Sequence, residues 1–310
     1  MTARIETPAG IQLEQSIWQV GQFIGRTPLY EIKNVFHKPG VRLFAKLEWQ
    51  QLGESVKARP AFNIIKNALL SGQLQGRTLL DATSGNTGIA YAAIGAALGI
   101  PVTLCLPENA SEERKRILKA FGAQIIYTSK FDGTDGAQEK ARELFRNHPD
   151  RYFYADQYSN DFNWKAHYET TAPEIWQQTH GTVTHLVAGL GTTGTLTGTG
   201  RGLRNYNPEL EIIGLQPDNP MHGLEGWKHL ETAAVPKIYD YGLPDRIIEI
   251  DTLEAYDMIR LVAKKEGLLI SPSAAANLVG AIKVASQLDH GVVVTTFADN
   301  ASKYGEVLKN

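Results

Sequence analysis

RTLLDA runs into TSGNTG and then into IAYAAIGAALG, and this order of apolar strand, glycine-bearing turn and helix returns along the chain. PVTLCLP precedes SEERKRILKAFG, QIIYTS precedes GAQEKARELFRN, and THLVAGL leads through GTTGT into TLTGTGRGLRNY. EIIGLQP and GVVVTTF read as further buried strands. Strands alternating with helices predict parallel sheets covered on both faces, because a parallel crossover needs a helix-length connection. Ser111 is placed to cap its helix, and Glu112 and Glu113 suit the positive helix end. The alternation falls in two blocks, 55–150 and 180–300, separated by the polar, aromatic YFYADQYSNDFNWKAHYETTAPEIW. The expectation is an α/β chain of two lobes with a cleft between them, divided near residue 155.

Length and charge agree with that picture. A chain of 310 residues can hold two compact lobes. Its 31 Lys+Arg against 33 Asp+Glu leave a formal charge of −2, without the basic excess that drives nucleic-acid binding. The single cysteine, Cys105, excludes an intrachain disulfide and a cysteine-based zinc cluster, and inside VTLCLP it reads as a small buried apolar residue. The carboxylates show no metal-ligand grouping. MTARIETPAG lacks the apolar run of a secretory signal, so a cytoplasmic, reducing compartment is expected. Ile89 to Pro107 is uncharged, but Gly99 and Pro101 interrupt it. Helix, break and strand is the reading, not a membrane span.

Three motifs carry chemistry. TSGNTG (Thr83, Ser84, Gly85, Asn86, Thr87, Gly88) follows a strand and opens a helix. Free backbone N–H groups and the helix dipole make such a place an anion cradle, although an ordinary capped turn fits the spacing equally well. GLGTTGTLTG repeats the arrangement, with Gly191 and Gly194 permitting close approach and Thr192, Thr193 and Thr195 adding hydroxyls. Two such cradles say more than one. ESVKAR places Lys57 at a helix start, where the dipole disfavours a cation, so its amine gains most if it is covalently used. A plain solvated lysine remains the competing reading.

SVKAR, TSGNTGIA, GTTGT and SPSA, in that order, resemble pyridoxal-phosphate enzymes of the cysteine synthase (O-acetylserine sulfhydrylase) family. IGRTPL, DQYSNDFNWKAHYETTAPEIWQQT and IIGLQP look closest to its cysteine synthase B branch, and the resemblance covers roughly residues 20–304. It implies the tryptophan synthase β-like fold type II, two doubly wound lobes with the active site between them. Residues 45–158 would form a smaller, mobile domain, and 1–44 with 159–310 a larger one. The cofactor implied is pyridoxal 5'-phosphate, bound in a homodimer that takes small amino-acid and sulfur substrates.

Residue by residue, Lys57 stands at the lysine that bonds the cofactor aldehyde. Asn86 matches the amide at its phenolic oxygen, Gly191, Thr192, Thr193, Gly194 and Thr195 its phosphate loop, and Ser273 the hydroxyl at the pyridine nitrogen. Thr83, Ser84, Gly85, Asn86, Thr87 and Gln157 match the substrate-carboxylate site. The implied reaction loses a β-leaving group through α-aminoacrylate and adds a sulfur nucleophile, with Lys57 as acid and base. O-acetylserine is the expected donor and sulfide the expected acceptor. O-phosphoserine sulfhydrylase, cystathionine formation and a serine/threonine dehydratase are the alternatives.

Some residues depart from the family pattern. Ala58 follows Lys57, SPSAAAN replaces GxSSGA, and DNASKY replaces D-S-G-E/D-R-Y while keeping Asp299 and Tyr304. In HGLEGWKHLE, Lys228 and His229 stand where relatives carry arginines, and a surface loop over Trp227 fits equally well. His185 reads as a core histidine, and His167 as a structural one without an acidic partner.

Overall fold

The computed structural model describes residues 9–83 and 85–305. After helix α1 (Ala9–Gly21), strands β1 (Leu29–Ile32) and β2 (Val41–Leu47) lead to α2 (Ala58–Leu70). Then come β3 (Thr78–Ala82), α3 (Asn86–Leu98), β4 (Val102–Pro107), α4 (Glu112–Ala120), β5 (Gln124–Thr128), α5 (Gly133–Asn147) and β6 (Tyr152–Tyr154). Helix α6 (Asp161–Ala166) runs through a π-helical turn (His167–Thr171) into α7 (Ala172–Gln178). The chain continues with β7 (His185–Gly189), α8 (Gly194–Tyr206), β8 (Glu211–Pro217), β9 (Arg246–Ile250), α9 (Thr252–Glu266), α10 (Pro272–Gln287) and β10 (Gly291–Phe297).

Two sheets result. One has the order β5-β4-β3-β6 and is parallel throughout. The other has the order β1-β2-β10-β7-β8-β9 and is parallel except for β1, which pairs antiparallel with β2. The alternating blocks form the expected parallel sheets, and β1, which lies before them, adds an antiparallel edge. Strand β1 reaches β2 through a short connection, too short for the crossover a parallel neighbour requires. Strand β2 runs across the division expected between residues 44 and 45 and belongs whole to the larger sheet.

Pleating explains how both faces are filled. Along β10, Val293 and Phe297 enter a core shared with α9 and α10, while Val292 and Val294 enter the opposite core with Leu196 and Leu203 of α8. The smaller sheet does the same. Leu79 packs with Ile64, Ile65 and Ile94, whereas Leu80 and Ala82 pack with Ala137 and Ala141 of α5. The uncharged stretch 89–107 is the buried helix α3 and buried strand β4, and no helix among the described residues is long and apolar enough to cross a membrane. Ser111 occupies the N-cap of α4 but makes no side-chain capping bond, so the expected cap is absent. Glu112 instead pairs with Lys115 at 2.7 Å.

Buried polar groups tie the layers together. Arg59, on α2, places its guanidinium against both oxygens of Glu48, at 2.7 and 2.8 Å, and both oxygens of Glu174, at 2.7 and 2.8 Å. Lys46 completes the cluster on Glu174 at 2.7 Å, and Thr27 donates to Glu48 at 2.7 Å. Two cations thus face two anions, with Arg59, Lys46 and Glu48 buried and Glu174 partly open to solvent. The pairing wins over burial for both acids, holding Glu48 below the usual carboxylate range and Glu174 at about 2.

Asp81 behaves in the opposite way. It is 1 % exposed, at the end of β3 beside Tyr91, Tyr154 and Asp156, with the backbone N–H of Ala82 donating at 2.8 Å. Burial outweighs that bond and pushes its carboxyl up to about 7. The folded chain then keeps a proton that the unfolded chain releases near pH 4, so this residue costs stability progressively as pH rises from 4 to 7. Asp81→Asn should therefore lose less stability than the native chain between pH 5 and 8, by about 2–3 kcal/mol. Urea unfolding at the two pH values measures this, and equal losses would refute it.

Candidate active site

Strands β3, β7 and β10 all end at one cavity of about 260 Å³. In open parallel sheets this is the end where ligands bind, since the loops and helix N-termini converge there. The lining brings together Lys57, Thr83, Gly85, Asn86, Thr87, Gln157, Gly191, Thr192, Thr193, Thr195, Lys228 and Ser273. Gly194 begins α8 directly beneath them. Ser84, expected in the carboxylate cradle, lies outside the described residues.

Lys57 is the N-cap residue of α2 and projects into the cavity. Burial pushes its ammonium below the ordinary lysine range, against the attraction of Asp299 and Glu48. The amine is thereby brought closer to its nucleophilic, uncharged form. The cluster around Arg59 fixes the first turn of α2, and with it the base of this lysine.

On the small-sheet side, Thr87 donates to Gln157 Oε1 at 2.7 Å, and Asn163 donates to the Gln157 carbonyl at 2.7 Å. The 83–87 turn and the 157 segment are therefore one unit at the N-terminus of α3. Asn86 is placed differently from a free cofactor ligand. Its Nδ2 donates to Asp299 at 2.7 Å, and its Oδ1 accepts from Lys303 at 3.2 Å. Tyr304 also donates to Asp299, at 2.7 Å.

On the large-sheet side, the 191–195 turn is built tightly. A Cβ on Gly194 would stand 2.0 Å from Asn163 Oδ1, and one on Gly189 would stand 2.1 Å from the Trp227 ring. Thr193 adopts φ 69°, a left-handed conformation that costs a threonine of order 1–3 kcal/mol and marks a functional turn. His167 is a residue the sequence reading left structural. Its Nδ1 meets Thr171 at 2.9 Å and its Nε2 meets Thr195 at 3.3 Å, so it orients a hydroxyl of the loop. Burial drives it down to about 3, and it holds that hydroxyl as a neutral ring. Asn277, also unforeseen, accepts from the N–H of Gly189 at 2.8 Å. The signal for both was weak, since each lies more than twenty residues from the motif it supports.

Other expectations fall out variously. Ser273 lines the cavity at the first turn of α10 and meets Ser271 at 3.2 Å. Lys228 lies 5.0 Å over the Tyr158 ring and donates to the Ala234 carbonyl at 3.3 Å. His229 turns to Glu231 at 3.3 Å, away from the role paired with Lys228. His185 is half-buried with its Nε2 3.1 Å from Glu211, and burial holds the ring below the usual imidazole range despite that carboxylate, where a core histidine was expected. β7 is an interior strand, but it begins at this residue, and strand ends are where side chains of a covered sheet reach solvent.

A family model described as "Pyridoxal-phosphate dependent enzyme" matches residues 20–299. A cysteine synthase of Aquifex aeolicus is 47% identical over 291 residues, 91% of this chain and 89% of that one. The chain belongs to the pyridoxal-phosphate dependent enzymes, among the cysteine synthases. Among solved structures, a cysteine synthase from Entamoeba histolytica is similar with a TM-score of 0.89 and 32% identity, over 100% of this chain and 95% of that one. An O-acetylserine dependent cystathionine beta-synthase from Helicobacter pylori is similar with a TM-score of 0.86 and 33% identity, over 92% and 96%.

The residues present fit the family's cofactor. Thr193 Oγ1 and Asp299 Oδ1 are buried without a hydrogen-bond partner, one in the threonine turn and one beside Lys57. Buried polar atoms left without partners are rare and point to a missing group. The enzyme uses pyridoxal phosphate, and the threonine turn at the N-terminus of α8 is suited to a phosphate ester.

Proposed function

We propose that this enzyme makes L-cysteine by exchanging the acetate of O-acetyl-L-serine for sulfide at the β-carbon. The reading rests on one juxtaposition: a lysine with a weakened hold on its proton, set between two helix N-termini, those of α3 and α8. Bound pyridoxal phosphate supplies a carbonyl for amino groups and a ring that draws electrons from the α-carbon. The 191–195 turn, with its threonine hydroxyls and helix dipole, holds the phosphate, and Ser273 offers an uncharged hydroxyl from α10. Thr83, Gly85, Asn86, Thr87 and Gln157 receive the substrate carboxylate at the start of α3. Ser84 belongs to the same motif. Lys57 takes the proton from the α-carbon and returns it after sulfide has added. Lys228, on the cavity wall, contributes positive charge toward the substrate.

The small sheet with α3, α4 and α5, within residues 45–158, moves as the smaller domain against the larger sheet, to which all of β2 belongs, and closure excludes water from the reaction. The chain works as a cytoplasmic homodimer, and exposed Trp18, Phe23 and Leu70 supply apolar surface for such a contact. A second reading is transfer to the thiol of homocysteine, favoured by the likeness to the Helicobacter pylori enzyme.

O-acetylserine added to holoenzyme should shift the cofactor's visible band. Sulfide should then restore it with release of cysteine. A band that sulfide leaves shifted, but homocysteine restores, would overturn sulfide as the acceptor. A band that does not respond to O-acetylserine would overturn the donor.

A further inference from the structure

Among the described residues lining the cavity, Glu225 is the one acidic side chain, and it shares that lining with Lys57 and Lys228. It follows β8 of the larger sheet, yet its carboxylate is held by an arginine of the smaller one. Arg114, on α4, is 4 % exposed and grips Glu225 with both terminal nitrogens, Nη2 donating to Oε2 at 2.7 Å and Nη1 to Oε1. The same guanidinium lies 5.0 Å from the ring centroid of Tyr304, another lining residue. Its Nε is buried without a partner, so one donor of the fork remains unused.

A planar fork buried behind a cavity wall is the side chain that best recognises phosphate or carboxylate. Here the carboxylate of Glu225, whose own side chain is 41 % exposed, already fills it. We propose that Glu225 determines donor specificity by occupying the anion position of Arg114, which reserves the cavity for amino acids whose β-leaving group is an uncharged ester. A phosphoserine carries about two negative charges on its leaving group at neutral pH. It would meet the carboxylate of Glu225 as a like charge in a cavity whose lining cations are Lys57 and Lys228. An acetyl ester meets no such penalty. The inference rests on the β-replacement reading above and adds to it the electrostatic class of the donor.

The test compares holoenzyme with Glu225→Gln and with Glu225→Gln/Arg114→Gln, each given O-acetyl-L-serine or O-phospho-L-serine with sulfide. The readout is the ratio of kcat/KM for phosphoserine to kcat/KM for acetylserine. Glu225→Gln should raise that ratio about 10- to 100-fold, because it removes the repulsion and frees Arg114 for the phosphate. Adding Arg114→Gln should return the ratio toward the native value. Being a ratio within one protein, it is not moved by partial unfolding. A ratio unchanged by Glu225→Gln, in an enzyme that consumes acetylserine, overturns the inference alone. An enzyme that consumes neither donor overturns the β-replacement reading and the inference with it.

Discussion

Lys57→Ala should abolish turnover, lowering kcat by at least about 10³-fold, while the folded chain persists. The magnitude combines loss of a covalent attachment with loss of the acid and base at the α-carbon, the latter alone worth about 10²–10⁴. The fold should tolerate the change for a specific reason. Lys57 lines the cavity, and burial already works against its ammonium, so removing it takes away an unfavourable charge. The helix it caps is held from Arg59, two residues further on. The variant should bind the cofactor without a covalent bond and lose its colour on gel filtration in cofactor-free buffer. Steady-state assay together with an absorbance spectrum after desalting checks both halves. Retention of more than a tenth of native kcat would remove Lys57 from the chemistry.

The second large effect is on stability. Arg59→Met should destabilise the protein by about 3–5 kcal/mol, the usual result of breaking a buried pair and stranding its partner charges. Glu48 and Glu174 would be left with Lys46 as their cation, and Glu48 is fully enclosed. Replacing the arginine with lysine should recover part of the loss, because one ammonium cannot meet two carboxylates in a bidentate manner. Both variants are best compared by urea unfolding at fixed, saturating cofactor, since a ligand bound to the native state adds its own stability. A loss below about 1 kcal/mol for Arg59→Met would show that the cluster is replaceable by apolar packing.

Much of this architecture was written in local patterns. Strands β3, β4, β5, β7, β8 and β10 follow the apolar runs nearly residue for residue, because each is a short run set off by turn residues, and all but β5 are largely buried. Helix α5 starts at Gly133, three residues before the pattern begins, since its first turn is polar and carries no periodic signal. Strand β6 was hidden in the polar, aromatic segment between the two blocks, and its three residues gain strand character from pairing with β3. The antiparallel edge strand β1 was likewise set by its partner. At the site, the motifs named the cavity lining because turns between strand and helix are contiguous in sequence. What they missed was the support. His167 under Thr195, Asn277 on Gly189, and the Glu225–Arg114 pair join segments distant along the chain, and no spacing rule reports such contacts.

The placement of the cofactor on Lys57 can be read directly by reducing fresh holoenzyme with borohydride, digesting it and sequencing the labelled peptide by mass spectrometry. The label should fall on Lys57, within the peptide containing GESVKAR, at close to one per chain. A label on another lysine, or holoenzyme in which Lys57 stays unmodified after reduction, would contradict it.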